Sequence, residues 1–139
     1  GLIQCIAVCK YTNILAVGHM NYYEYVEELD TNFVYKYETV HLFDHRGQKV
    51  NMLEGLRGFC IVSDNRGHFL LGGNSEVIII DTRGNKLANL VCCKPSFYAL
   101  SLAVDTANQI WIGGNGQISI YKYPDVGISV TDTLDIDTN

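Results

Sequence analysis

The fold is decided by one stretch of the chain, Asn108-Gln109-Ile110-Trp111-Ile112-Gly113-Gly114-Asn115-Gly116-Gln117-Ile118-Ser119-Ile120-Tyr121. Two short apolar segments flank a glycine-rich turn, and this pattern is typical of two adjacent β-strands. A close copy of the pattern occurs at Gly67–Ile80. A weaker copy begins at Asn13–Gly18, with its second strand displaced downstream. The chain is therefore an internal repeat, and a repeat specifies an architecture before it specifies any chemistry.

The spacing of the copies indicates the size of the repeated unit. Gly72-Gly73 aligns with Gly113-Gly114 at a shift of 41 residues, and Phe43–Gly47 aligns with Ile80–Gly84 at a shift of 37. A period near forty residues with four strands per unit is typical of β-propeller blades. The sequence therefore predicts an all-β protein made of three four-stranded antiparallel sheets, which form part of a larger ring.

The repeat divides the chain into three predicted blades. Blade 1 covers about 1–56 and contains an inserted arm at 21–38, blade 2 covers about 57–93, and blade 3 covers about 94–139. The predicted strands are 2–9, 14–20, 39–44 and 48–54 in blade 1, 58–63, 68–73, 76–81 and 86–92 in blade 2, and 98–104, 109–114, 117–123 and 128–135 in blade 3. The first strand, Leu2–Cys9, is apolar at nearly every position, so we expect an innermost strand that is buried on both faces.

The third unit resembles a known family of repeats. Asp105, the segment Gln109–Gly114 and the segment Gln117–Tyr121 are similar to the repeat of regulator-type propellers, and the chain more broadly resembles divergent WD40 and NHL blades. The resemblance implies a propeller fold and a function in binding other proteins.

Three blades do not close a ring, because propellers use about four to eight blades. The sequence favours a segment of a larger propeller. Two alternatives are a pair of copies that completes a six-bladed ring, and a different subunit that supplies the remaining blades.

The arm between the second and third strands is the candidate binding element. Its residues alternate on both sides of Asp30-Thr31-Asn32, which predicts a long hairpin; a helix over Tyr22–Leu29 is the alternative. Tyrosine offers a large contact area with a polar tip, so this composition suits a protein-binding surface. A solvated hairpin whose tyrosines only pack across strands is the alternative. The predicted partner-binding residues are Tyr22, Tyr23, Tyr25, Glu27, Glu28, Tyr35 and Tyr37.

Catalytic and metal sites are poorly supported. The four aspartates at equivalent turns, Asp44, Asp64, Asp81 and Asp105, are expected to cap their own backbone. The histidines lack a companion nucleophile, and the five cysteines lack the short paired spacing of a zinc site, so no catalytic residue, metal or cofactor is predicted. A small-molecule or carbohydrate site, or a metal-dependent hydrolase or lyase site, at the channel mouth of the completed ring is the alternative.

Composition narrows the class of partner. The net charge is -5 and the chain has no Lys/Arg cluster, which disfavours nucleic-acid binding. No apolar run is long enough to span a membrane and no secretory leader is visible. The cysteines are expected to be buried reduced thiols, which indicates a cytoplasmic location. The predicted function is a non-catalytic protein-protein interaction scaffold within a larger cytoplasmic signalling or assembly protein.

Overall fold

The chain folds into β-strands and turns throughout the region that the structure describes. The computed structural model describes residues 2–20, 23–26, 31–35, 38–55, 60–73, 76–91, 101–114, 116–123 and 135–137. Within these residues there is no helix, and the strands form three four-stranded antiparallel sheets and one separate two-stranded hairpin. The predicted all-β class and the three four-stranded sheets are confirmed.

Each sheet uses four strands that follow one another along the chain, apart from the inserted hairpin. Sheet 1 contains β1 (Leu2–Cys9), β2 (Ile14–Met20), β5 (Glu38–Phe43) and β6 (Lys49–Glu54). Sheet 2 contains β7 (Cys60–Ser63), β8 (Phe69–Gly72), β9 (Glu76–Ile80) and β10 (Lys86–Val91). Sheet 3 contains β11 (Ser101–Val104), β12 (Gln109–Gly114), β13 (Gln117–Lys122) and β14 (Asp135–Asp137). The hairpin consists of β3 (Tyr23–Val26) and β4 (Thr31–Tyr35).

The antiparallel order places equivalent turns on one side of each sheet, at the ends of its strands. In sheet 1, the turns at 10–13 and 44–48 lie at one edge, and the chain between Met20 and Glu38 leaves from the opposite edge. The turns of neighbouring sheets touch: Asn65 Nδ2 donates a 3.2 Å hydrogen bond to the carbonyl oxygen of Asp105. We call this border, which is formed by strand ends and not by an edge strand, the turn edge. It carries the turns at 10–13, 44–48, 64–68, 81–85 and 105–108.

Sheet 2 lies between the other two sheets, because both of its faces are apolar. Alternate residues of a strand point to opposite faces, so Leu71 and Ile78 pack with Leu42 of sheet 1, whereas Leu70 and Ile79 pack with Ile110 of sheet 3. The central run Val77–Ile80 is at most 4% exposed. This strand is therefore covered on both faces.

The contact between sheets 1 and 2 and the contact between sheets 2 and 3 join corresponding faces of the sheets. We call the face that a sheet directs toward the next sheet along the chain its forward face, and the opposite face its backward face. The forward face of sheet 1 packs on the backward face of sheet 2, and the forward face of sheet 2 packs on the backward face of sheet 3. The stack is therefore head to tail, and each of its ends leaves one face without a neighbouring sheet among the described residues.

The first strand departs from prediction at its backward face. Ile3, Ile6 and Val8 are 66%, 62% and 56% exposed, so the expectation of a strand buried on both faces is wrong. Cys9, on the opposite face, is fully buried against sheet 2. The backward face of β1 is exposed because no described sheet precedes sheet 1.

The arm also differs in detail from prediction. Tyr23–Val26 forms a strand, so the helical alternative is wrong for these residues. The second strand already begins at Thr31, so Thr31 and Asn32 belong to a strand and not to a turn. Glu38 belongs to β5 and pairs with Met20, so the arm ends before it. In sheet 3 the last described strand covers Asp135–Asp137, whereas the predicted strand 128–135 lies almost wholly outside the described residues.

Gly84 tests the contact between sheets 1 and 2. Its φ is 94°, and a Cβ atom there would lie 2.7 Å from Asn51 Nδ2 and 3.0 Å from Leu53 Cδ2. Asn51 Nδ2 cannot move freely, since it donates a 2.8 Å hydrogen bond to the carbonyl oxygen of Arg83. Gly47 occupies the equivalent turn position with a φ of 79°, and a Cβ atom there would meet nothing within 4 Å, so it is the matched control.

We expect Gly47→Ala to lower the free energy of unfolding by about 1–2 kcal/mol through backbone strain alone. Gly84→Ala should cost about 1–3 kcal/mol more, because it adds crowding at the sheet contact. Urea unfolding of both variants measures the difference, and equal losses would contradict the described packing.

Candidate functional site

Four aspartates at the turn edge share one hydrogen-bond pattern. In each turn the Oδ1 atom accepts the backbone N–H groups two and four residues later, at 2.7–2.9 Å. The residue three positions after the aspartate has a positive φ and is glycine in three turns and Asn108 in the fourth. The aspartates are Asp44, Asp64, Asp81 and Asp105. The prediction that they cap their own backbone is confirmed.

The second carboxylate oxygen is occupied differently from turn to turn. Asp81 Oδ2 accepts a 2.9 Å hydrogen bond from Asn85 Nδ2, and Asp105 Oδ2 accepts one of 2.9 Å from Trp111 Nε1. Burial opposes ionisation of Asp81, but the Asn85 side chain and the turn N–H groups lower its pKa overall. The Trp111 hydrogen bond, with the turn N–H groups, lowers the pKa of Asp105. These hydrogen bonds favour the ionised form of both carboxylates.

Asp64 differs from the other three because it ties two sheets together. It is only 3% exposed, and its Oδ2 atom accepts a hydrogen bond from the Tyr123 hydroxyl, which follows β13 in sheet 3. His68 Nδ1 lies 3.0 Å from the same oxygen, and the Arg66 guanidinium lies 5.3 Å from the centre of the Tyr123 ring. Burial, together with the Asp64 carboxylate, raises the pKa of Tyr123. The cluster is a polar joint between sheets 2 and 3.

Cys9 occupies the turn position that aspartate holds in sheets 2 and 3. Asn13, with a φ of 56°, donates its N–H to the Cys9 carbonyl oxygen at 2.8 Å. Burial opposes ionisation of the thiol, but hydrogen bonds from Thr12 and from the turn N–H groups lower its pKa overall. Cys9 is fully buried, as predicted, whereas Cys5 and Cys60 are only partly buried, and Cys92 and Cys93 lie outside the described residues. The sulfur atom therefore stands in for the turn carboxylate.

The forward face of sheet 3 is an apolar surface. Trp111 is 39% exposed and Ile118 is 55% exposed. Together with Ser101 and Ala103 they line a surface depression of about 200 Å³. The 41-residue shift maps the forward face of sheet 2, which is covered by sheet 3, onto this surface. The aligned pairs are Cys60 with Ser101, Val62 with Ala103, Leu70 with Trp111, Val77 with Ile118, and Ile79 with Ile120.

The backward face of sheet 1 is the other exposed apolar surface. Besides the exposed side chains of β1, it carries His19 and His41, whose ring centres lie 5.6 Å apart in an edge-to-face arrangement. His41 also stacks on Phe43 with 6.1 Å between ring centres, and its Nε2 atom lies 3.1 Å from the Thr39 hydroxyl. Burial, aided by Lys49 and His19, lowers the pKa of His41. A lowered pKa favours the neutral form of His41, which suits an apolar contact surface.

The predicted partner-binding residues fall only partly within the described structure. Tyr23 and Tyr35 are cross-strand partners in the β3–β4 hairpin, and Tyr25 lies on β3. Tyr22, Glu27, Glu28 and Tyr37 lie outside the described residues. The hairpin leaves sheet 1 between β2 and β5, at the edge opposite the turn edge. Its strands form a sheet of their own.

Sequence reasoning missed two features of these surfaces. The hydrogen bond from Tyr123 to Asp64 joins residues that are 59 positions apart, and the 41-residue shift gives no signal for it. The pairing of His19 with His41 depends on the register of β2 and β5, which their equal alternation could have indicated. Among the described residues, no group of three or more histidine, cysteine, aspartate or glutamate side chains is placed to hold a metal ion.

Comparison with models of known protein families finds no family that matches the chain. Comparison with curated proteins likewise finds no matching protein. In the part of the chain that the structure describes, no helix has the length and apolar character needed to cross a membrane.

Tyr123 tests the joint between sheets 2 and 3. Tyr123→Phe removes the donor to the buried Asp64, and we expect the free energy of unfolding to fall by about 1–3 kcal/mol at neutral pH. The raised pKa of Tyr123 means that the folded state favours the neutral phenol, so this stabilisation is complete at low pH and is lost as pH rises. Above about pH 10 the wild type should lose up to about 1.4 kcal/mol per pH unit more than the variant. Urea unfolding between pH 8 and 11 measures this, and parallel profiles would rule out the joint.

Proposed function

We propose that this chain is a segment of a β-propeller that serves as a non-catalytic protein-protein interaction scaffold. The observation that supports the proposal is the head-to-tail stack. Sheet 2 is covered on both faces, and the exposed forward face of sheet 3 carries, position by position, the equivalents of residues that sheet 3 covers in sheet 2. A further sheet on that face would continue the arrangement, as in a propeller.

The placement of the first strands β1, β7 and β11 beside one another also fits a propeller. Each is the first strand of its sheet and sits at a sheet edge. β7 contacts both β1 and β11, so the three first strands lie side by side. In a propeller the first strands of successive blades line the central channel in this way.

The arm is the part of the scaffold that we assign to partner binding. A two-stranded hairpin is only marginally stable by itself in water, so packing of its tyrosines on a partner would stabilise it. Residues 21–37 contain five of the nine tyrosines of the chain, together with four carboxylate side chains and one lysine. A partner with a basic, partly apolar surface fits this composition. The proposed contact residues are Tyr22, Tyr23, Tyr25, Glu27, Glu28, Tyr35 and Tyr37.

A catalytic role has no comparable support. The turn carboxylates hydrogen-bond to their own backbone, and Asp64 is further engaged by Tyr123 and His68. Carboxylates that serve as caps in this way are poorly placed to act as an acid, a base or a metal ligand. The proposed scaffold therefore carries no reaction at the channel mouth.

Removal of the arm tests the proposed function. Met20 pairs directly with Glu38, so an Asn-Gly turn in place of residues 21–37 should close β2 onto β5 without strain. We expect the shortened chain to melt at the wild-type temperature and to lose at least tenfold in the recovery of its protein partners. The measurement is affinity capture followed by quantitative mass spectrometry, with salt titration to detect the expected weakening of a charged contact.

Tyr11→Ser is the matched control, because Tyr11 is 59% exposed on the turn edge and lies outside the arm. It should leave partner recovery unchanged. Unchanged recovery after removal of the arm itself would show that the arm is not the binding element.

A further inference from the structure

The two exposed faces at the ends of the stack are of opposite kind. Sheet 3 presents a forward face, and sheet 1 presents a backward face. Both contacts inside the chain join one forward face to one backward face. The exposed forward face and the exposed backward face are therefore the two kinds of face that pack together at both contacts inside the chain.

Equivalent side chains make this complementarity specific. Leu102, Ile110 and Ile112 of sheet 3 pack on the forward face of sheet 2. The strand registers align these three residues with Ile61, Phe69 and Leu71 of sheet 2. The same registers align those residues of sheet 2 with Ile6, Leu15 and Val17 of sheet 1. The backward face of sheet 1 thus carries an apolar side chain at each of these three positions.

The forward face of sheet 3 has space to receive such side chains. Its depression of about 200 Å³ is lined by small residues, among them Ala103 and Gly113, together with Trp111 and Ile118. Ile6, at 62% exposed, extends from the opposite end of the stack. An aliphatic side chain entering the depression would exclude water from the indole and from Ile118, which is the favourable term in such contacts.

We infer that the occupant of the forward face of sheet 3 is the backward face of sheet 1 from a second copy of this chain. The inference rests on the head-to-tail stack of the proposed function and adds the partner to it. A contact of this kind is heterologous, and it closes into a ring when the rotation per sheet allows. The described residues of two copies supply six four-stranded sheets, within the usual range of about four to eight blades for a closed propeller.

A closed pair of copies reaches the buried area of a stable interface more easily than a pair joined by one contact. A stable interface buries about 1,600 Å² in total. A two-copy ring forms the same contact twice, so each contact needs to contribute only about half of that area. The net charge of -5 on each copy opposes association, but repulsion across more than about 8 Å is screened at physiological salt.

Light scattering of the wild-type chain across a dilution series in 0.15 M salt is the first measurement. We expect a mass of twice the 15.5 kDa of one chain at high concentration. The chain has one tryptophan, Trp111, on the forward face. Its fluorescence should therefore shift to longer wavelength as dilution separates the copies. A mass of one chain at all concentrations, or a mass that grows without limit, would overturn the inference.

Two charge variants test the head-to-tail geometry. Ile6→Glu alters only the backward face and Ile118→Glu alters only the forward face, and each side chain is more than half exposed, so both variants should fold. Each variant alone should associate at least about 100-fold more weakly, because every contact would bury an unpaired carboxylate. An equimolar mixture should associate more tightly than either variant alone but less tightly than the wild type, since one contact joins two unaltered faces and the other brings the two introduced carboxylates together.

The control and the contradicting outcomes are distinct. Lys86→Glu alters an exposed residue in the middle sheet and should leave the two-copy mass unchanged. If only one of the two face variants weakens association, the contact joins like faces and the inference is wrong. Should either variant not fold, the wild-type mass and the Trp111 emission decide the matter. Failure here would leave arm-dependent partner binding intact, so it is separable from failure of the proposed function.

Discussion

Apolar side chains on both faces of the central strands of sheet 2 impose the constraint on which the structure depends. Val77 and Ile79 require a cover on one side, and Ile78 and Ile80 require a cover on the other. A four-stranded sheet cannot supply both covers for itself, so it has to lie between two neighbours. Sheets 1 and 3 meet this requirement for sheet 2, but each of them then repeats the problem at its own outer face.

The turn edge fixes how the sheets are placed against one another. An aspartate that accepts two N–H groups of its own turn holds the turn in a single shape, and Asn65 and Asn51 then donate to carbonyl oxygens in turns of the neighbouring sheets. Asp64 goes further, because its second oxygen accepts the Tyr123 hydroxyl. Cys9, in the same position of sheet 1, has a thiol where Asp64 has a carboxylate. The carboxylate contact therefore joins sheet 2 to sheet 3, and Cys9 supplies no carboxylate for an equivalent contact between sheets 1 and 2.

Much of the fold could be predicted from the sequence, because alternation and turn residues are local signals. The bounds of Leu2–Cys9, Ile14–Met20 and Gln109–Gly114 were predicted as the structure has them. The burial of β1 was not, because coverage of a strand depends on its neighbours and not on its own composition. The joint between Asp64 and Tyr123 also escaped prediction, since it breaks the repeat. For the candidate site, the sequence located the arm, but the register of Tyr23 with Tyr35 required the folded backbone.

The repeat also separates the surfaces that remain for binding. At the turn edge the aspartate Oδ1 atoms are engaged by their own turns, so a ligand there would have to displace the contacts that shape the turns. The end faces are apolar and extended, which suits another sheet better than a small molecule. The arm leaves from the opposite edge and interrupts the repeat without disturbing it, because β2 and β5 pair up to Met20 and Glu38 at its base. The proposed binding through the arm and the proposed completion of the stack therefore use separate parts of the molecule.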